Sequence, residues 1–114
     1  MALSEEAGCA LLSQLFCERG YQIERNVLVK EGAFSQCLDG FDFKAKVGFE
    51  YITKEANDHE SFTGAVLSQL QTFMENEIMY VFVIDESTGV EANDLEEGAS
   101  AFLDFMDKRK KTTC

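Results

Sequence analysis

The chain has 114 residues, of which 46% are hydrophobic and 10 are phenylalanine, as expected for a single folded domain. Its net charge is −11, and residues 1–107 alone carry −15 because four of the ten basic residues lie at 108–111. This charge repels a phosphate backbone, so autonomous nucleic-acid binding is disfavoured. Neither a bilayer-spanning apolar run nor a signal-peptide pattern is present, so we expect a cytoplasmic protein without membrane contact.

The four cysteines do not form a recognisable metal or redox motif. They contain no C-x-x-C pair, and one histidine accompanies them, which excludes a zinc cage and a thioredoxin motif. We therefore expect reduced, structural thiols at Cys9, Cys17, Cys37 and Cys114.

The first predicted element is a helix over Ser4 to Arg19, with Ser4 as its cap and Gly20 as its stop. Its apolar stripe consists of Ala7, Leu11 and Leu15 with their neighbours Ala10, Leu12 and Phe16. A two-residue alternation then predicts a strand with one buried face, interrupted by Arg25 and formed by Tyr21, Ile23, Val27 and Val29.

Two further strands follow, from about Phe34 to Phe41 and from Val47 to about Thr53. The loop between them, around Phe43 to Lys46, is short enough for a hairpin. If it is centred between Lys44 and Ala45, opposed residue numbers add to 89.

A capping box over Asn57–Glu60 predicts a second helix from roughly Asp58 to Asn76. The apolar run Ile78–Ile84 is typical of a strand buried on both faces, so we expect it near the middle of the sheet. A second cap signature, Asn93–Glu96, begins a helix that carries Leu95, Ala99, Phe102, Leu103 and Met106.

The predicted order is therefore α-β-β-β-α-β-α, an α/β fold with a mixed sheet flanked by helices. We predict one domain over residues 1–107 and a basic C-terminal tail over 108–114. The crossover helix should make the last strand parallel to one of its neighbours.

The hairpin register places Asp39 opposite Glu50, so that the two carboxylates share one face of the sheet. Close carboxylates repel unless a cation lies between them, and hard oxygen ligands with open positions suit Mg²⁺. The alternative is that Asp39-Gly40 marks a bulge or turn and that Glu50 points to solvent.

This arrangement resembles the PD-(D/E)XK, or restriction-endonuclease-like, superfamily. The resemblance lies in the element order and in three segments, Gly20-Tyr21-Gln22-Ile23-Glu24-Arg25-Asn26-Val27, Leu38-Asp39-Gly40 and Gly48-Phe49-Glu50-Tyr51-Ile52. It implies that Asp39 and Glu50 are Mg²⁺ ligands, that Glu6 or Glu18 is an auxiliary acid, and that Gln69 or Gln71 supports the site.

The same resemblance implies a catalytic lysine two residues after the glutamate, where this chain has Ile52. Isoleucine cannot orient a hydroxide ion. Lys54 lies on the same predicted face two residues further, and Lys46 lies in the other direction. A catalytic set would therefore be Asp39, Glu50 and Lys54, with Lys46 as the other candidate.

Four more polar residues are weaker candidates. His59 falls at a predicted helix start, where an exposed histidine is usual. Asp42 alternates away from Asp39 and should begin the loop. Asp85 and Glu86 end the last strand, where open α/β sheets tend to bind ligands, although a solvated turn is the ordinary alternative.

The sequence thus predicts a non-catalytic regulatory or protein-binding module that has a protein partner and needs no cofactor. A Mg²⁺-dependent nuclease with a migrated lysine is the alternative, suggested by Asp39 opposite Glu50. The acidic charge by itself also fits an immunity-type or nucleic-acid-mimicking inhibitor.

Overall fold

The computed structural model describes residues 4–52, 64–85 and 92–112, and the predicted α/β order is confirmed in them. Three helices and four strands follow one another as α1 Glu5–Glu18, β1 Glu24–Glu31, β2 Phe34–Asp42, β3 Val47–Ile52, α2 Gly64–Glu75, β4 Tyr80–Asp85 and α3 Ala92–Thr112. The predicted capping box at 57–60 lies outside the described residues. Among the described helices, none combines the length and hydrophobicity of a bilayer-spanning segment.

Helix α1 begins and ends as predicted, but its buried stripe is rotated. The Ser4 side chain accepts the Ala7 N–H at 3.2 Å, and Gly20 (φ 95°) leaves the helix in a left-handed conformation. Ala7 and Ala10 are exposed. Leu12 and Phe16 are buried as predicted, and Gly8 and Cys9 are buried beside them. At Gly8 a Cβ would lie 2.5 Å from the Tyr51 ring, so close packing on β3 determines which side of the helix is buried.

The sheet has the strand order β1-β2-β3-β4, with antiparallel β1–β2 and β2–β3 pairs and a parallel β3–β4 pair. The predicted hairpin register is confirmed, since Gly40 pairs with Phe49 and Asp42 with Val47.

The position predicted for the last strand was wrong, because β4 lies at one end of this sheet. Its apolar run has another cause. Tyr80 packs in the cluster with α1 and α3, whereas Val81 packs in the cluster with α2, so helices cover both faces of an end strand. A strand whose two faces are both covered by helices therefore need not lie in the middle of the sheet.

The single buried face predicted for the first strand was also wrong. Tyr21 and Ile23 pack with α1 and α3, whereas Val27 and Val29 pack with α2 on the other side of the sheet. Asn26, which lies between the two pairs, has φ 51°. This left-handed residue changes the side to which the following side chains point.

The β1–β2 ribbon folds back over α2. The β2–β3 register covers Gly40 to Asp42 on β2, so the rest of β2 runs away from β3. At the far end of the ribbon, the Phe34 ring lies 5.5 Å from that of Phe73 on α2. There Glu31 also accepts a hydrogen bond from Lys46 Nζ at 3.0 Å.

Helix α3 packs as predicted, with Leu95, Ala99, Leu103 and Met106 buried and Phe102 partly buried. It continues to Thr112, so the segment predicted as a basic tail begins as helix. The Arg109 guanidinium lies over the Tyr80 ring, 4.8 Å from its centroid, and donates to Glu77 at 2.7 Å.

Candidate functional site

The predicted acid pair lies where β2 and β3 separate. The Asp39 N–H donates to Glu50 Oε1 at 2.9 Å, and the Tyr51 N–H donates to Asp39 Oδ2 at 2.8 Å. Asp39 is 6% exposed and Glu50 is 1% exposed. Each carboxylate thus accepts a main-chain hydrogen bond from the opposite strand. The alternative interpretation, with Glu50 pointing to solvent, was wrong.

The two carboxylates do not share surroundings as the register alone suggests. On β3, Phe49 and Tyr51 pack with α1 and α3, so strand alternation places Glu50 on the side of Ile52, which packs with α2. The Asp39 carboxylate lies instead on the α1 side. A metal site formed by Asp39 and Glu50 stays a prediction, to be weighed against the groups that do surround Asp39.

Those groups are Glu5 and Cys9 of α1. One donor atom from each of Glu5, Cys9 and Asp39 lies within 4.8 Å of the other two. Glu5 and Cys9 are four residues apart on the helix, which places them on one face. The auxiliary acid predicted on this helix was Glu6 or Glu18, not Glu5. The sequence does indicate Glu5, because it lies one helical turn before Cys9, on the face that buries Cys9, Leu12 and Phe16.

The Cys9 thiol is held in its neutral form. Burial and, after it, the negative charge and hydrogen bond of Asp39 raise the pKa of Cys9 well above its usual range. The nearby Arg25 acts in the opposite direction but does not outweigh these effects. The thiol is 2% exposed and donates its proton towards the Asp39 carboxylate.

Position 52 is part of the core. The Ile52 residue is 2% exposed and belongs to the cluster that includes Leu70 of α2 and Val81 of β4. Of the two lysines considered as substitutes, Lys54 lies outside the described residues. Lys46 directly precedes β3, about 13 Å along the strand direction from Glu50. Its amine pairs with Glu31.

Asp42 ends β2 and binds the loop, as predicted. Its carboxylate accepts the backbone N–H groups of Gln22, Lys44 and Ala45, each at 2.9 Å. Burial raises the pKa of Asp42, but these three hydrogen bonds outweigh burial and hold the pKa below its ordinary value. This carboxylate is a structural cap.

The other predicted residues lie apart from Asp39 or beyond the described residues. Glu6 is exposed and lines the cavity beside Cys9, whereas Glu18 lies at the far end of α1. Gln69 and Gln71 are exposed on α2, and Asp85 is half-buried at the end of β4. His59 and Glu86 lie outside the described residues. Of the cysteines, Cys9 is a buried free thiol, and Cys17 and Cys37 are exposed free thiols.

A separate apolar groove of about 500 Å³ lies between the β1–β2 turn and α2. Phe34, Phe73 and Ile78 contribute to its lining. The groove lies at the folded-back end of the β1–β2 ribbon, and neither Asp39 nor Glu50 lines it.

Comparisons with family models, with curated proteins and with solved structures found no match to this chain. The functional conclusion therefore depends on the residues and their geometry.

Proposed function

We propose that this chain is a restriction-endonuclease-like domain that has no nuclease activity and acts as a protein-binding module. The observation that carries the proposal is the burial of Ile52 among apolar side chains, at the position where that superfamily places its lysine. A hydrolytic site needs a positioned group to orient the attacking water. The Glu50 carboxylate is also engaged, since it accepts the Asp39 N–H.

The charge distribution supports a basic protein partner. Helices α1 and α3 together contain eight acidic residues, and their four basic residues all lie at 108–111 near the end of α3, whereas α2 contains one acidic residue. These two helices pack against each other on one side of the sheet. Exposed acids on this layer are Glu6, Glu18, Asp94, Glu96, Glu97 and Asp104. Such a layer attracts basic surfaces and repels phosphate.

The absence of catalysis is tested directly with the purified full-length chain. Single-stranded and duplex DNA and RNA are incubated with the parent, Asp39→Ala and Lys54→Ala in Mg²⁺ or Mn²⁺. We expect equal background from all three, because losing one transition-state contact commonly costs a factor of about 10² to 10³. Metal-dependent cleavage that disappears in Asp39→Ala would contradict the proposal. If cleavage also disappeared in Lys54→Ala, Lys54 would be identified as the migrated catalytic lysine.

The partner surface is tested by zero-length carbodiimide cross-linking, which joins a carboxylate of this chain to a lysine amine of its partner. The tagged chain is cross-linked in its source cells, and the joined peptides are identified by mass spectrometry. We expect the linked carboxylates to lie on α1 and α3. Links confined to α2 or to the β1–β2 ribbon would contradict the proposed surface.

Two matched double variants sharpen this test. Glu96→Gln with Glu97→Gln removes two charges from the acidic layer, and Glu24→Gln with Glu75→Gln removes two exposed charges elsewhere. We expect the first pair to reduce cross-linking more than the second. Raising the salt from about 0.1 M to 1 M shortens the Debye length from about 10 Å to 3 Å and should reduce cross-linking of the parent. Equal behaviour of the two pairs would show that total charge, and not this layer, attracts the partner.

A further inference from the structure

A thiol and two carboxylates converge at the N-terminal end of α1. One donor atom each from Glu5, Cys9 and Asp39 lies within 4.8 Å of the other two. Two of these residues are almost fully buried, with Cys9 2% and Asp39 6% exposed, while Glu5 is half-buried. Oxygen and sulfur donors from a helix and a neighbouring strand are thus gathered around one small volume.

Two of the three donors are fixed in place. Asp39 Oδ2 accepts the Tyr51 N–H at 2.8 Å, which sets the plane of the carboxylate. Cys9 is held by α1, whose neighbouring Gly8 packs directly on the Tyr51 ring. The Cys9 thiol donates a hydrogen bond to the Asp39 carboxylate. Glu5 is the donor nearest to solvent, because its side chain is half-exposed.

A polar cavity of about 420 Å³ opens beside Glu5 and Cys9, and Arg25 is also among its lining residues. A cavity of this size holds several waters, each of which occupies about 30 Å³ in the liquid. Water could therefore complete the coordination of an ion bound by the three side chains, and the ion could enter from solvent.

We propose that Glu5, Cys9 and Asp39 bind one thiophilic divalent cation of the Zn²⁺ class. The ion replaces the thiol proton, which leaves to solvent, so that Cys9 binds as thiolate and two carboxylates complete a three-residue ligand set. A water from the cavity takes the fourth position. Tetrahedral Zn²⁺ binds sulfur at about 2.3 Å and oxygen at about 2.0–2.2 Å, so ligand atoms lie about 3.6 Å apart. The three donor atoms, which lie within 4.8 Å of one another, would draw together to that spacing around the ion.

The ligand types distinguish this ion from Mg²⁺. Mg²⁺ prefers oxygen donors and retains its waters, whereas a thiolate ligand selects softer metals. The site shares Asp39 with the predicted Mg²⁺ pair but uses α1 in place of Glu50. It does not depend on the proposed function, because a structural ion is compatible with either a binding module or an enzyme.

The test uses Co²⁺ as a spectroscopic probe, since a cobalt–thiolate bond gives a charge-transfer absorption band. The reduced full-length chain is titrated with Co²⁺, and Zn²⁺ is then added as competitor. We expect one Co²⁺ per chain, a thiolate band, and loss of the band on addition of Zn²⁺. Affinity should rise with pH because binding releases the Cys9 proton. A folded parent without a thiolate band would overturn the proposal.

Variants identify the ligands. Cys9→Ser should lose the band, whereas Cys17→Ser, at an exposed position on the same helix, should keep it. Glu5→Gln changes a half-exposed side chain, so the fold should survive, and Co²⁺ affinity should fall by more than about tenfold, since even removing an outer-shell partner costs 10- to 100-fold. A band that persists in Cys9→Ser, or an affinity unchanged in Glu5→Gln, would contradict the assignment.

Discussion

Asp39 and Asp42 lie three residues apart on β2 and are both buried, yet their surroundings differ. Asp42 accepts three backbone hydrogen bonds from the β2–β3 loop and the segment before β1. Asp39 accepts the Tyr51 N–H and otherwise meets a thiol and a second carboxylate. A carboxylate surrounded by main-chain donors stabilises the fold. A carboxylate surrounded by other ligand groups is available to bind an ion.

The largest expected effect of this difference is on stability at Asp42. Asp42→Ala removes a charged acceptor from three backbone N–H groups, and we expect it to lower the free energy of unfolding by about 3 kcal/mol. Urea denaturation at pH 7 measures this loss. As a control, Asp104→Ala removes an exposed carboxylate that pairs with Arg19 at 3.0 Å and should cost less than about 1 kcal/mol. Equal losses would mean that Asp42 is not a cap.

Cys9 should produce an alkaline limit to stability. Its pKa is higher in the folded than in the unfolded chain, so its contribution is complete below the ordinary value of 9.0 and declines as pH rises above it. The slope should approach about 1.4 kcal/mol per pH unit. Urea denaturation from pH 7 to 10.5 should show a shallower decline for Cys9→Ser than for the parent and Cys17→Ser. Burial also raises the pKa of Tyr80, but this residue is present in all three proteins and contributes equally to their declines. Identical declines would contradict the burial of the thiol beside Asp39.

Asp42 should produce a smaller effect at acid pH. Its pKa is lower in the folded chain than the ordinary 3.8, so its contribution is complete above that pH and is lost as pH falls through the folded value. We expect the parent to lose stability below about pH 4 more steeply than Asp42→Asn. Denaturation midpoints between pH 2.5 and 6 measure the difference. Parallel curves would place the carboxylate outside the hydrogen-bonded loop.

The smallest effect is expected for Asp39→Asn. The amide keeps an oxygen that can accept the Tyr51 N–H, and loss of the carboxylate that accepts the Cys9 thiol proton is offset by relief of its repulsion with the neighbouring Glu5 carboxylate. Its free energy of unfolding should stay within about 1 kcal/mol of the parent in metal-free buffer, measured beside Asp42→Asn. A larger loss of unfolding free energy in Asp39→Asn than in Asp42→Asn would show that Asp39, and not Asp42, is the carboxylate that stabilises the fold.

The sequence predicted contacts that depend on local geometry. A four-residue loop between two strands is sufficient to set the hairpin register, which is why Gly40 and Phe49 pair as expected. Helix caps act over one turn, so Ser4 was also predicted correctly. The order of elements was confirmed because helical and strand periodicities differ clearly.

The features that failed depend on distant packing. Asparagine adopts the left-handed conformation more readily than most residues, but the alternating pattern around Asn26 does not show that it does so here and moves Val27 to the other face. The fold-back of the ribbon depends on contacts such as Phe34 with Phe73, far apart in the chain. Glu5 and Cys9 were missed because the three-dimensional position of α1 over β2 brings them to Asp39. Strand spacing alone therefore paired Asp39 with Glu50.

The stability of Ile52→Lys distinguishes a core position at residue 52 from one in a catalytic cleft. Ile52 is 2% exposed and packs among apolar residues, so a lysine there places a charge in the core. We predict a loss of at least about 3 kcal/mol in the free energy of unfolding by urea, or failure to fold, while Ile52→Val costs about 1 kcal/mol. An Ile52→Lys chain as stable as Ile52→Val would show that the position faces an open cleft, and would contradict its burial in the core.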